Sequence, residues 1–358
     1  MTNPLAMPLR YSPAVEKVEP DERETQMGLI EQFEKIQGIT YKDGGHGLRG
    51  VHAKAHGLLE AELTVADGLP PELAQGLFAQ PGSYPVQMRF STSPGDLLPD
   101  DVSTPRGLAI KVHNVEGERM PGTVGDKTQD FVLVVGKAFL APTPKAFLAN
   151  LKLLASTTDK LTGGKEILSS ILRGTETLVE AVGGESPTIK SLGGYPETHI
   201  LGESFFSQTP IRYGDYIAKI GLVPVSPELM RLTDAPLDVN GKPDGLRDAV
   251  RAFFAGHSGA WELRVQLCTN LDDMPVEDAA KPWPEDKSPY IAVARLTAKT
   301  QNSYADERYN AIDSAMSFSP WHCLTAHQPL GGVNRARKPV YEASARFRTQ
   351  KNGCPMAA

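Results

Sequence analysis

The chain has 358 residues, 40% of them apolar and 22% charged, with a formal net charge of −6. That balance is globular, the length allows one large domain or two ordinary ones, and no basic excess offers a surface to nucleic acid or anionic membrane. No run of about 18 apolar residues occurs to span a membrane, and no cationic stretch followed by an apolar core opens the chain as a secretory signal would.

Residues 1–24 are Pro-rich and charged and are expected to form an extended arm, with residues 25–358 as one domain. Helical spacing over 25–38 predicts a helix stopping at Gly38. After a Gly44-Gly45 turn, residues 48–65 place Val51, Leu59, Ala61, Leu63 and Val65 in a strand-like alternation. Runs at 84–92, 106–115, 130–140 and 203–225 also read as strands, each bounded by Gly/Pro/Asp-rich turns. A helical stretch with a break at Gly163-Gly164 is expected over about 144–182, a short helix over 246–256, and strands over 261–269 and 290–298. Residues 303–323 are polar and irregular, and 337–350 reads as the start of a helix with Pro339 near its beginning. Many strands at hairpin spacing with helices between and after them predict an α+β protein built on a β-barrel or sandwich.

The three cysteines, Cys268, Cys323 and Cys354, are odd in number and far apart, without zinc spacing. Free thiols in a reducing compartment, the cytoplasm by default, are expected. No nucleotide-binding loop, nucleophile elbow or zincin motif occurs. Among eight histidines, His52 falls mid-strand in the alternation, and His56, four residues on, is expected on the same face. Near the C-terminal end, Arg337, Arg346 and Arg348 flank Tyr341 at offsets of −4, +5 and +7. On a helix the first and last share the tyrosine's face. Two cations beside a phenol favour the phenolate, a hard anionic ligand suited to ferric haem.

Several segments, in order, resemble the haem catalases. RGVHAKAHG (49–57) is similar to the family's R-V-V-H-A-K-G, MRFST (88–92) to V-R-F-S-T, and TPRGLAIKV (104–112) to D-P-R-G-F-A-x-K-F. Residues 282–304 resemble its Trp-Pro segment and following strand, SFSPWH (317–322) its A-F-S-P run, and residues 337–348 its R-x-x-x-Y-x-x-x-x-R-x-R spacing. The resemblance implies an antiparallel eight-stranded β-barrel with helical insertions and C-terminal helices, burying haem b with Tyr341 as the iron ligand. It makes His52 the distal acid/base and Ser91 its orienting partner. Arg49, Arg89 and Arg348 would pair with the haem propionates, Arg337 would hydrogen-bond the Tyr341 oxygen, and Val51 and Phe90 would line the pocket.

Where the family carries a distal asparagine, the simplest alignment puts Asp126, which accepts but cannot donate when ionised; Gln129 is the alternative donor. His56, absent from the family pattern, is expected to face solvent. These features imply a compact catalase-related peroxidase. It would reduce hydrogen peroxide or organic hydroperoxides through a high-valent iron-oxo intermediate, with an unknown reductant and a possible homo-oligomeric state. A fatty-acid hydroperoxide isomerase or dehydratase, or a non-catalytic haem-binding protein, is the alternative on the same residues.

Overall fold

The computed structural model describes residues 7–102, 104–158 and 196–353. The described residues build nine antiparallel strands: β1 (Lys54–Val65), β2 (Ser83–Thr92), β3 (Arg106–Val112), β4 (Gln129–Val135), β5 (Phe205–Phe206), β6 (Ile211–Tyr213), β7 (Tyr216–Pro224), β8 (Gly259–Leu267) and β9 (Ile291–Ala298). Hydrogen bonding runs β5-β4-β3-β2-β1-β9-β8-β7, and a β5–β7 pairing closes the ring. β6 shares the β5 edge of β7, so the barrel has eight strand positions and no open edge along the closed ring.

Alternation decides which side chains fill it. Leu59, Leu63, Met88, Phe90, Leu108, Ile110, Leu133, Leu222, Trp261 and Leu263 point inward and are almost fully buried. Each such side chain contributes about 1.5–3 kcal/mol on burial.

The expected run over 203–225 is three strands. Gln208 and Gly214 take left-handed backbone (φ 53° and 60°), and Pro210, with no N–H, lies between. Gly214 and Asp215 form the two-residue turn joining Tyr213 to its partner Tyr216. The expected 106–115 and 130–140 strands end earlier, at Val112 and Val135.

Four helices matter to the site: α1 (Glu22–Gly44), α2 (Pro144–Thr158), α3 (Gly245–Gly256) and α4 (Gly332–Asn352). The α1 helix passes through Gly38, at a cost of about 1 kcal/mol, because a Cβ there would meet nothing. It stops at Gly45, whose φ of 67° lets its N–H reach Tyr41 O. The predicted stop at Gly38 is therefore displaced to Gly45, and the helix expected from residue 25 begins at Glu22. The α4 helix begins before the expected 337, so Pro339 sits inside it rather than near its start. The remainder of the helix expected over 144–182, and Cys354, lie outside the described residues.

Residues 7–21 lie along the barrel. Leu9 N bonds Cys268 O and Tyr11 N bonds Asp215 O, both at 2.7 Å. Leu9, Tyr11 and Val15 cover Ile217, Cys268 and Trp283. Among the described residues no helix is long and apolar enough to cross a membrane.

Candidate functional site

Two opposed surfaces frame the site. The first is the outside of β3 and β4, where Gly107 and Ala109 pair with Val134 and Val132. These four side chains are small. Ala109, Val132 and Val134 stay half-buried in mid-strand, while their neighbours Leu108 and Leu133 fill the barrel. Ile312, Met316 and Phe318 border this wall beside Ala109 and Val132.

The second surface is α4, whose two faces are divided by the helical repeat. Ala336 and Val340 pack on Leu29, Phe33 and Leu148 of α1 and α2. Arg337, Tyr341, Ser344 and Arg348, at spacings of three and four, share another face. Ser344 Oγ accepts from Gly50 N at 3.3 Å, and Arg348 donates to Ser314 O at 2.9 Å and Met316 O at 3.2 Å. A small cleft between β4 and α4 is lined by Val132, Thr209, Asn334 and Arg337 among others.

Tyr341 Oη accepts from Arg337 Nη2 at 2.9 Å, as expected, and Arg337 Nη1 is itself held by Asn334 Oδ1 at 3.2 Å. The second cation expected beside the phenol is not there, because Arg348 is turned to the 314–316 carbonyls. Arg346 is exposed.

His52 is on the loop that leads into β1, not within the strand. Its φ is 51°, a left-handed value that interrupts any alternation. The ring rests on Gly107, where a Cβ would come within 2.6 Å of His52 Cε1. Nδ1 is buried with no hydrogen-bond partner, although the residue as a whole stays half-buried. Desolvation, then the charges of Arg89 and Arg337, push its pKa down to about 4, so the ring is neutral at pH 7. Arg337 thus acts on both His52 and Tyr341. Val51, beside His52, packs against the α1–α2–α4 cluster.

His56 does not share a face with His52, nor does it meet solvent. It occupies a β-bulge between Ala55↔Ser91 and Gly57↔Phe90 and is completely buried. Its Nε2 is 2.8 Å from Thr92 Oγ1 and its Nδ1 3.7 Å from Asp100 Oδ2. Burial, then the neighbouring Lys54 ammonium, holds it neutral.

Three further expectations change. Phe90 points into the barrel against Phe205 and Trp261, away from the β3–β4 wall. Ser91 Oγ donates to Gly107 O at 3.4 Å rather than to the histidine it was expected to orient. Asp126 closes its own loop through Thr128 N at 3.0 Å, and Gln129 spends its amide on Leu324 N and Asp130 O. Gln129 stands five rungs along β4 from the partner of Gly107, about 16 Å by strand rise. Neither supplies a donor beside His52.

Arg49, Arg89 and Arg348, which the resemblance groups as propionate partners, converge on the Tyr309–Ala315 π-helical turn. Asp313 Oδ1 accepts from Arg89 Nε at 2.6 Å and Arg49 Nη1 at 2.8 Å. Although desolvation opposes it, the charges of Arg89 and Arg49 hold the Asp313 carboxyl below its ordinary range. Sequence reasoning missed Asp313. The only available signal was an acid in a polar segment, hundreds of residues from its partners.

The closed eight-stranded barrel, its helical cover and the order of its strands define a catalase-related fold. The chain is similar to a fungal catalase (TM-score 0.60, 18% identity, covering 87% of this chain and 61% of that one). It is likewise similar to catalase A from Saccharomyces cerevisiae (0.60, 16%, 97% and 68%) and to a bacterial catalase (0.56, 16%, 96% and 63%). It therefore spans roughly three-fifths to two-thirds of the length of these structures. No protein-family model and no curated protein matches the sequence.

Proposed function

We propose that this chain is a haem-dependent peroxidase, with Tyr341 as the iron ligand and His52 as the distal acid/base. The observation that carries the reading is the Arg337–Tyr341 pair on the α4 face, with Arg337's charge also felt at His52. The residues fit the group. A phenol oxygen fixed by a guanidinium hydrogen bond at 2.9 Å is the kind of oxygen donor that ferric haem takes. The small-residue wall of Gly107, Ala109, Val132 and Val134 suits a flat apolar ligand, and His52 Nδ1 is buried without a partner. Among the described residues no cluster of three His, Cys, Asp or Glu side chains is arranged for a bare metal ion, so the cation would arrive inside its macrocycle.

Haem b would supply the redox chemistry of peroxide cleavage. The chain's own part is proton movement and orientation. His52, neutral at pH 7, takes the proton from the inner oxygen of ROOH and returns it to the leaving oxygen. Gly107 gives the ring its seat. Tyr341, held by Arg337, would present its oxygen to the iron. Arg49 and Arg348 would be the cations for the cofactor's carboxylates, although both, like Arg89, also bond the 312–316 turn. With Asp126 and Gln129 committed to other bonds, a single imidazole serves the distal side. This favours peroxidase turnover of hydroperoxides over efficient dismutation of hydrogen peroxide. The buried free thiols Cys268 and Cys323 suit a reducing compartment.

Haemin titration of the purified chain, followed by its Soret band, tests the reading. One equivalent should bind with a tyrosinate-ligated ferric spectrum, and Tyr341→Phe should lose that spectrum while keeping the fold. A chain that takes up no haemin, or a Tyr341→Phe spectrum identical to the native one, defeats it.

A further inference from the structure

His52 holds an unfavourable backbone conformation, and its own ring does nothing to maintain it. A left-handed φ strains a non-glycine residue, and Nδ1 has no partner. What restrains the residue is its main chain. Arg89, on β2 and only 2% exposed, donates from Nη1 to His52 O and from Nη2 to Ala53 O, each at 2.9 Å. The third side of the same guanidinium, Nε, donates to Asp313 Oδ1 at 2.6 Å. A long arginine side chain has several rotatable bonds, and a charge-assisted bond at that length selects one of its orientations.

Asp313 also grips the other end of the loop. Its Oδ1 accepts from Arg49 Nη1 at 2.8 Å, three residues before His52. The 49–53 loop is thus tied at its start by Arg49 and at its end through Arg89, and both ties meet in one buried carboxylate. That carboxylate comes from the turn at Tyr309–Ala315, a helix of π form, which is frequent at functional sites.

We propose that Asp313 is a positioning residue that fixes the conformation of His52 by aiming the Arg89 fork at the His52 and Ala53 carbonyls. The role of His52 in proton transfer rests on the function proposed above; the control of its conformation does not. Asp313 touches no reacting atom. It acts by deciding where the imidazole sits against Gly107.

The test is made first on haem-free protein labelled with [13C-ε1]histidine. The chain has eight histidines, and His52 is assigned by the signal lost in His52→Gln. Asp313→Ala and Arg89→Lys should each move the His52 signal while those of the buried His199 and His327 stay in place. The double variant should move it no further than either single one. The second arm uses haem-loaded protein: Asp313→Ala should slow the reaction with peroxide by about 100-fold, the scale of a misplaced catalytic group, and should have no further effect in a His52→Gln background. An unmoved His52 signal in either variant, with His199 and His327 native, overturns the proposal. Should Asp313→Ala fail to fold, Arg89→Lys decides it, since lysine keeps the charge but lacks the fork. If the native chain takes up no haem, the function proposed above fails, and the labelled spectra still decide the role of Asp313.

Discussion

Lowering the pH from 7 to 5 should bring the haem-free protein close to unfolding, because the fold excludes protons from imidazoles that the unfolded chain would protonate. His327 shows why. It is 1% exposed, its Nε2 accepts from Leu77 N at 2.9 Å, and Phe78, Phe131 and Tyr213 surround it. Adding a proton at Nε2 would break that bond and bury a charge. Desolvation accordingly pushes its pKa from 6.5 down to about 4, and that of His199 to about 4 as well; burial also holds the His56 pKa well below its ordinary value. All three folded values lie below the unfolded one. Stability is therefore fully present above pH 6.5 and falls as the pH drops toward 4, where the folded state begins to take up protons itself.

Each of His327 and His199 costs about 1.4 kcal/mol per pH unit in that window, so at pH 5 each removes about 2 kcal/mol and the two together about 4 kcal/mol, with His56 acting in the same direction. That approaches the lower end of a typical domain's margin of about 5–15 kcal/mol. Half-buried His52 adds a smaller increment in the same direction. Urea titrations followed by circular dichroism at pH 5, 6 and 7 measure the loss. His327→Gln, whose side-chain oxygen can still accept from Leu77 N, should recover about 2 kcal/mol of it. Equal stability at pH 5 and 7, or uptake of less than one proton on unfolding at pH 5.5, would refute the reasoning.

Lys219→Met should stabilise the chain by about 3 kcal/mol at pH 7. Lys219 Nζ is buried without a hydrogen bond, 5.0 Å from the Trp283 ring, and burial, opposed by the Asp278 charge, lowers its pKa to about 8. Its cost is full below pH 8 and disappears above 10.5, so the gain from methionine should vanish over that range in urea titrations. Gly107→Ala should cost about 1–3 kcal/mol by overpacking and slow the reaction with peroxide, read by stopped-flow absorbance, because the new methyl would displace the His52 ring. Arg335→Ala should cost on the order of 3 kcal/mol in chemical unfolding. It removes the common partner of Glu16 (2.6 Å), Glu22 (2.9 Å) and Glu277 (3.1 Å) and leaves three carboxylates facing one another.

The barrel was legible because its inward and outward residues alternate: β2, β8 and β9 lie within a residue or two of where the pattern puts them. Alternation failed where backbone sign intervened. Nothing in GVHAKAH announces a left-handed His52 or a bulge at His56, and both follow from how β1 meets β2. The break at Gly214 was written in a Gly-Asp pair that a hairpin reading would have used. The Arg337–Tyr341 bond was legible since four residues on a helix fix it. Phe90 was misplaced because motif likeness carries no statement of which face a strand residue takes. The convergence of arginines was legible as a set, but their target was not: Arg89 and Asp313 are 224 residues apart, and only tertiary packing brings them together.

The first turn of the tyrosine-bearing helix is completed by distant chain. Gly331 N bonds Glu16 Oε1, Gly332 N bonds Glu277 Oε2, and Arg335 reaches back to Glu22, 313 residues earlier. During synthesis, the early segment must therefore wait, its acids unmatched, until this helix leaves the ribosome. The phenol cannot reach its working place before two remote stretches of the polypeptide have met. Under the function proposed above, capture of haem would be tied to completed assembly, since a half-made chain has no anchored phenol to present.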